Sequence, residues 1–247
     1  MAGESRIPGI SMDGVRGFFV TGTDTGVGKT FVACALARHL SRTHKVGVMK
    51  PAESGCRRAG GILSPADAVK LKAASGSAAP MEDICPYPLP GMLAPSEAAR
   101  RAGICIDMER IRRSFERVAA VSDVVLVEGA GGLLVPLRDD CLFVDLARDL
   151  RLPLLIVARA GLGTINHSLL TLEAALSRGI VVSALILNEN TPPGDDRSIA
   201  ANAAALARLA SVPVLGPFPF LSGPAGGIGP ESTDLLDQLE NLLNAGF

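Results

Sequence analysis

Short apolar runs recur along the chain and alternate with longer segments of helical character. The runs are Gly17–Thr21, Lys45–Met49, Val124–Val127, Leu154–Ala158, Val181–Leu187 and Val212–Leu215. Most are apolar at consecutive positions rather than at alternate ones, the pattern of strands covered on both faces. Between them the spacing predicts helices near 29–42, 66–75, 107–120, 164–178, 196–210 and 231–244. In Met108–Ala120, for example, Ile111, Phe115 and Val118 recur three or four residues apart among arginines and glutamates. Strand then helix, repeated, implies right-handed βαβ units and a mostly parallel sheet flanked by helices. The Pro- and Gly-rich stretch Ala79–Pro95 reads as a long loop inside the domain. The chain is therefore expected to form one α/β domain over 14–247, with 1–13 a flexible leader.

Composition narrows the class. With 247 residues, 48% of them hydrophobic, and 24 basic against 25 acidic side chains, the chain has the core and charge balance of a globular enzyme. It lacks the basic excess of a nucleic-acid binder and the low hydrophobicity of a disordered chain. The apolar stretch Leu152–Ala158 is closed by Arg151 and Arg159, far short of a membrane span. The opening MAGESRIPGISMD has no apolar core, so no secretory signal is expected. Five scattered cysteines, with no CxxC pair or Cys/His cluster, encode neither a zinc site nor a disulfide framework. Three of them read as small core residues. A reducing, cytoplasmic setting fits.

The strongest local signal is Gly22-Thr-Asp-Thr-Gly-Val-Gly28-Lys29-Thr30, directly after the first strand and directly before a helix. A nucleotide's phosphates need several backbone N–H donors converging on one point, and a glycine-rich turn permits that approach. Lys29 would reach the β/γ-phosphates and the Thr30 hydroxyl would ligate Mg²⁺. Five residues rather than four separate Gly22 from Gly28. A tight βα turn alone does not account for Lys29, whose charge opposes the dipole at a helix start unless an anion sits before it. Three further groups stand at strand ends or a helix start. Lys50, in KPAESG, ends the second strand, either as a ligand group or as a solvated lysine before a turn. Asp67 is either a metal-directed carboxylate or a helix first-turn acid after Ser64-Pro65. Glu128 ends VVLV and opens the glycine-rich EGAGG, a carboxylate placed for a metal beside a flexible loop.

Together these segments resemble the dethiobiotin synthetase family, through nearly the whole chain. The matches are GTDTGVGKT at 22–30, KPAESG at 50–55, Asp67, VEGAGGLLVPL at 127–137, LGTINHSLLTLEA at 162–174 and LNENTPPG at 187–194. The unusual loop spacing is a feature of that family, whereas Gly26 stands where many members carry Glu. The tail after GPFPFL at 216–221 matches poorly. The resemblance implies a single-domain P-loop NTPase fold and an ATP- and Mg²⁺-dependent ligase. Its substrates would be 7,8-diaminopelargonic acid and CO2, with a carbamate and a carbamic–phosphoric anhydride as intermediates. Lys29 and Lys50 would be the catalytic cations. Nucleotide contacts would come from Gly26, Val27, Gly28, Lys29, Thr30, Phe31, Asp67, Glu128, Gly129, Ala130, Gly131, Asn188 and Glu189. Thr30, Asp67 and Glu128 would hold Mg²⁺. The substrate would meet Thr25, Lys50 and Ser54, and its carboxylate would meet Gly163, Thr164 and Asn166 from the neighbouring subunit of a homodimer. Asn188 would read adenine, or else form a turn before TPPG, and His167 reads as a structural histidine. Two rivals are a related amidoligase, which would add a glutaminase domain, and a partitioning or switch ATPase. The latter typically carries an extra lysine early in its loop, and Gly22-Thr23-Asp24-Thr25 has none.

Overall fold

The computed structural model describes residues 14–192, 198–220 and 230–245. The expected leader at 1–13 lies outside them, as do 221–229 of the tail that matches poorly. Along the chain, β1 (Gly17–Gly22) leads into α1 (Lys29–Leu40) and β2 (Val46–Met49). Short elements follow: β3 (Ala52–Glu53), β4 (Arg57–Ala59), β5 (Ile62–Ser64), α2 (Ala66–Ser75), α3 (Met81–Ile84), β6 (Tyr87–Pro88) and α4 (Pro95–Ala102). Then come α5 (Met108–Ala119), β7 (Val124–Gly132), β8 (Pro136–Arg138), β9 (Cys141–Leu142) and α6 (Phe143–Asp149). The regular alternation resumes with β10 (Leu154–Arg159), α7 (Thr164–Leu176), β11 (Val182–Asn188), α8 (Ser198–Leu209), β12 (Val214–Phe218) and α9 (Pro230–Ala245).

Six strands form one sheet in the order β12-β11-β10-β1-β7-β2, and every pairing in it is parallel. The consecutive apolar runs supply its interior: Phe18, Phe19, Val20, Val124–Val127 and Leu154–Ala158 are buried. A strand covered by helices on both faces needs no polar side, which is why alternation is missing from these runs. Because the strands are parallel, their C-terminal ends share one edge. That edge brings the loop after β1, Lys50 after β2, Glu128 in β7 and Asn188 in β11 within reach of one another.

Two expectations need correction. The stretch Ala79–Pro95, read as a loop, contains α3 and β6, each too short for periodicity to reveal. The EGAGG segment is not a separate loop, because β7 continues through it. Val20 pairs with Glu128 and Gly22 with Gly132, across a shift of register. Glycines let this strand end run close to the phosphate loop: a Cβ on Gly131 would stand 3.4 Å from the Thr25 Oγ1 and 2.9 Å from Val135.

Candidate active site

The turn between β1 and α1 is shaped by two glycines in the left-handed region, Gly26 at φ 75° and Gly28 at φ 101°. At Gly28 the constraint is double, since a Cβ there would lie 2.1 Å from the Nδ2 of Asn188. Asn188 is buried and donates from Nδ2 to the Val27 carbonyl at 3.0 Å. Asn190 donates likewise to the Gly26 carbonyl at 3.1 Å. The end of β11 thus holds the phosphate loop in shape, a role that sequence reasoning did not give to Asn188. Its Oδ1 is buried with no hydrogen-bond partner among the described residues.

Lys29 opens α1 and folds back over the loop, where its Nζ donates to the Asp24 carbonyl at 2.9 Å. Burial, then the positive charge of Lys50, pulls its pKa down to about 8. A lysine held in this way gains most from an anion arriving before it. The Thr30 hydroxyl donates to Glu128 Oε1 at 2.8 Å, and Lys50 Nζ donates to the same oxygen at 2.5 Å and to the Gly129 carbonyl at 3.0 Å. Burial alone would lower the Lys50 pKa; the facing Glu128 carboxylate outweighs it and raises the value. The missed helix α3 contributes here, because its Ile84 carbonyl accepts the Lys50 backbone N–H at 2.7 Å.

Asp67 stands in the first turn of α2, paired with Lys70 at 2.9 Å and interacting with Thr30. Burial pushes its carboxyl up, but hydrogen bonding from Lys70 and the charge of Lys50 outweigh this and hold the pKa below its ordinary value. What positions Asp67 is a residue the motif reading passed over. Buried Glu53, within KPAESG, accepts from the backbone N–H groups of Asp67 and Ala68 at 2.9 and 3.0 Å and so caps α2. Burial raises its pKa, against those same two hydrogen bonds. A carboxylate three residues from a motif lysine was the available signal.

These groups line one cavity of about 660 Å³, which includes Thr25, Gly26, Gly28, Lys29, Thr30, Phe31, Lys50, Glu53, Ser54, Asp67, Glu128, Ala130 and Gly131. Phe31 packs edge-on against Phe218 beside it, with centroids 6.4 Å apart. The cavity carries groups suited to an anion and to a cation: Lys29 and the loop N–H groups for the first, and in Thr30, Asp67 and Glu128 the hard oxygen donors that Mg²⁺ prefers for the second. Glu128 Oε2 is buried without a partner among the described residues, as a donor oxygen for a cation would be. Val27, Gly129 and Asn188 stand beside the cavity without lining it. Glu189 does not line it either, and its N–H is taken by the Phe218 carbonyl at 2.9 Å. Nor do Gly163, Thr164 and Asn166 reach it within one chain. Thr164 is buried against Ser168 at 3.3 Å, whereas Asn166 at the start of α7 is exposed. His167 faces Arg159 at 3.5 Å.

A model of the AAA domain family matches residues 16–223. The ATP-dependent dethiobiotin synthetase of Anaeromyxobacter dehalogenans strain 2CP-C is 51% identical over 197 residues, covering 79% of this chain and 86% of the relative. The chain belongs to the ATP-dependent dethiobiotin synthetase family. Members from Thermodesulfovibrio yellowstonii and Bacillus thuringiensis strain Al Hakam are 42% and 40% identical, over 83% and 85% of this chain and 89% and 85% of theirs. The fold is shared more widely than the family. A putative plasmid partition protein of Borrelia burgdorferi superposes with a TM-score of 0.60 at 11% identity, over 94% of this chain and 99% of that one. The Aquifex aeolicus MinC:MinD complex gives 0.57 at 15%, over 94% and 98%. The synthetase family thus carries its own chemistry on a P-loop NTPase frame.

Proposed function

We propose that this protein is a dethiobiotin synthetase, a ligase that carboxylates 7,8-diaminopelargonic acid with CO2 and closes the ureido ring at the expense of ATP. The observation that carries the reading is the convergence of Lys29, Thr30, Lys50, Asp67 and Glu128 in one cavity of a chain 51% identical to a named synthetase. One substrate amine adds to CO2 and releases a proton, giving a carbamate. A carbamate oxygen attacks the γ-phosphorus of ATP, and ADP departs. The second amine attacks the carbonyl carbon of the mixed anhydride, loses a proton and expels phosphate as the ring closes.

Each stage asks for positioning and charge more than for a protein nucleophile. Lys29 and the loop N–H groups bind and orient the phosphates. Lys50, with Thr25 and Ser54 beside it, orients the carbamate. Thr30, Asp67 and Glu128 would hold Mg²⁺, which neutralises charge on the phosphate oxygens. The Asn188 Oδ1 would accept from a base amino group. The substrate's remote carboxylate would sit at the N-terminus of α7, at Gly163, Thr164 and Asn166, of a second copy in a homodimer. Exposed Leu162 and Leu170 flank Asn166, apolar surface that such a partner would cover. Five free thiols, and no helix among the described residues suited to crossing a membrane, support a cytoplasmic setting. The partition-ATPase reading has only the shared fold behind it, and the early loop lysine is missing. The test is phosphate release from ATP: it should require both the diamine and bicarbonate. Release that proceeds equally without the diamine overturns the synthetase reading.

A further inference from the structure

Far along α1 from the phosphate loop, three metal-ligating side chains meet on the surface between α1 and α9, with a second histidine beside them. His39, at the end of α1, is buried and directs its Nε2 at two carboxylates, Glu240 Oε2 at 2.8 Å and Asp237 Oδ1 at 3.2 Å. His44, just past the helix, places its Nδ1 3.9 Å from the other oxygen of Glu240 and 2.8 Å from the Thr43 hydroxyl. The ligand atoms of His39, Asp237 and Glu240 lie within 4.8 Å of one another. Two of the three histidines in the whole chain stand in this one cluster.

The geometry points to a site for a first-row transition cation of the Zn²⁺ type, held by His39, Asp237 and Glu240, with its fourth position open to solvent beside exposed Asp237. One N–H shared between two carboxylate oxygens makes a weakened, bifurcated bond, whereas a cation placed between the three atoms satisfies them all. Bonds of about 2.0–2.2 Å in a tetrahedral site put the ligand atoms about 3.3–3.6 Å apart. His39 Nε2 stands 2.8 and 3.2 Å from the two carboxylate oxygens, so an entering cation needs only a slight spreading of the three atoms. One neutral imidazole and two carboxylates carry two negative charges, which a divalent cation cancels. Mixed imidazole and carboxylate donors select Zn²⁺, Co²⁺ or Ni²⁺ over Mg²⁺, which prefers oxygen ligands and retained waters. The site also lies at the C-terminal end of α1, where the helix dipole favours positive charge. Its occupant would staple α9 to the far end of the helix that carries Lys29 and Thr30.

The test is Zn²⁺ titration of untagged, chelator-treated protein, followed by calorimetry and by thermal unfolding, with Co²⁺ absorption reporting coordination geometry. Wild type should bind one equivalent more than His39→Gln or Glu240→Gln and show a four-coordinate Co²⁺ spectrum for it. In those variants the affinity of this equivalent should fall by at least about tenfold. Zn²⁺ should raise the wild-type Tm and leave theirs unmoved. Circular dichroism on both variants checks that they fold, and His44→Gln gives a milder loss. If wild type binds no more Zn²⁺ than the variants, the cluster is an ordinary ion pair and the proposal is overturned.

Discussion

At Glu53 one side chain links the lysine motif to Asp67, the carboxylate proposed to meet Mg²⁺. By capping α2 it fixes the first turn that carries Asp67, so its loss should act on cation binding rather than on the diamine. Removing a cap of this kind costs about 0.5–2 kcal/mol, enough to loosen the turn without unfolding the chain. Glu53→Ala should therefore raise the Mg²⁺ concentration needed for half-maximal turnover several-fold. Glu53→Gln, which keeps an acceptor oxygen, should recover part of it. An unchanged Mg²⁺ requirement in both variants would mean that Asp67 is held without Glu53, or serves no cation. Lys29 makes the complementary case. Its only described hydrogen bond within the protein is to the Asp24 carbonyl, so Lys29→Ala should leave Tm nearly unchanged. The loss of one transition-state cation should lower kcat by about 10²-fold or more. Turnover within a few-fold of wild type would remove the phosphate-loop assignment.

Among the elements, helix α3 supports the site from outside the cavity. Helix α3 accepts the Lys50 N–H through Ile84 and is itself locked to α5 through Asp83. Asp83 is buried and accepts from Ser114 Oγ at 3.1 Å and from Arg117 Nε at 2.9 Å. The hydrogen bond from Arg117 holds its pKa below the ordinary aspartate value. A carboxyl whose folded pKa is depressed contributes stability that is complete above its unfolded value, near 3.8, and disappears as pH falls through the folded value. Asp83→Asn should destabilise the protein by about 1–2 kcal/mol at neutral pH. Chemical denaturation repeated at falling pH should show the gap to wild type closing below about pH 4. A gap that stays constant would mean that the interaction does not depend on the charge of Asp83.

In the whole molecule, the question is which chain completes each cavity. Lys50 lines the cavity of its own chain, while Asn166 stands exposed outside it. If Asn166 serves the neighbour's site, Lys50→Ala and Asn166→Ala dimers should each be nearly inactive. After co-refolding of equal amounts, about half the dimers are mixed, and each mixed dimer has one site with both lesions and one with neither. About a quarter of the wild-type sites should then reappear, measured as turnover per total protein. No recovery, with mixed dimers demonstrated, would place both residues at the same chain's site and remove the shared-site reading.

The sequence by itself determined the parallel α/β plan and the phosphate loop. Both rest on local physics: strands buried on two faces must be apolar throughout, and a backbone at φ 101° admits little but glycine. Helix α2 lies where the pattern put it, at 66–75, because its apolar spacing and its start after Pro65 are written in neighbouring residues. Tertiary structure decided what no window of residues contains. Glu128 shares one oxygen between Thr30 and Lys50, 98 and 78 residues away. Asn188 braces a loop 161 residues before it, and His39 meets a carboxylate 201 residues after it. Such contacts depend on strand order and on how helices lie across the sheet. A side chain's neighbours there are set by packing of the whole core, and the spacing of residues along the chain carries no record of them.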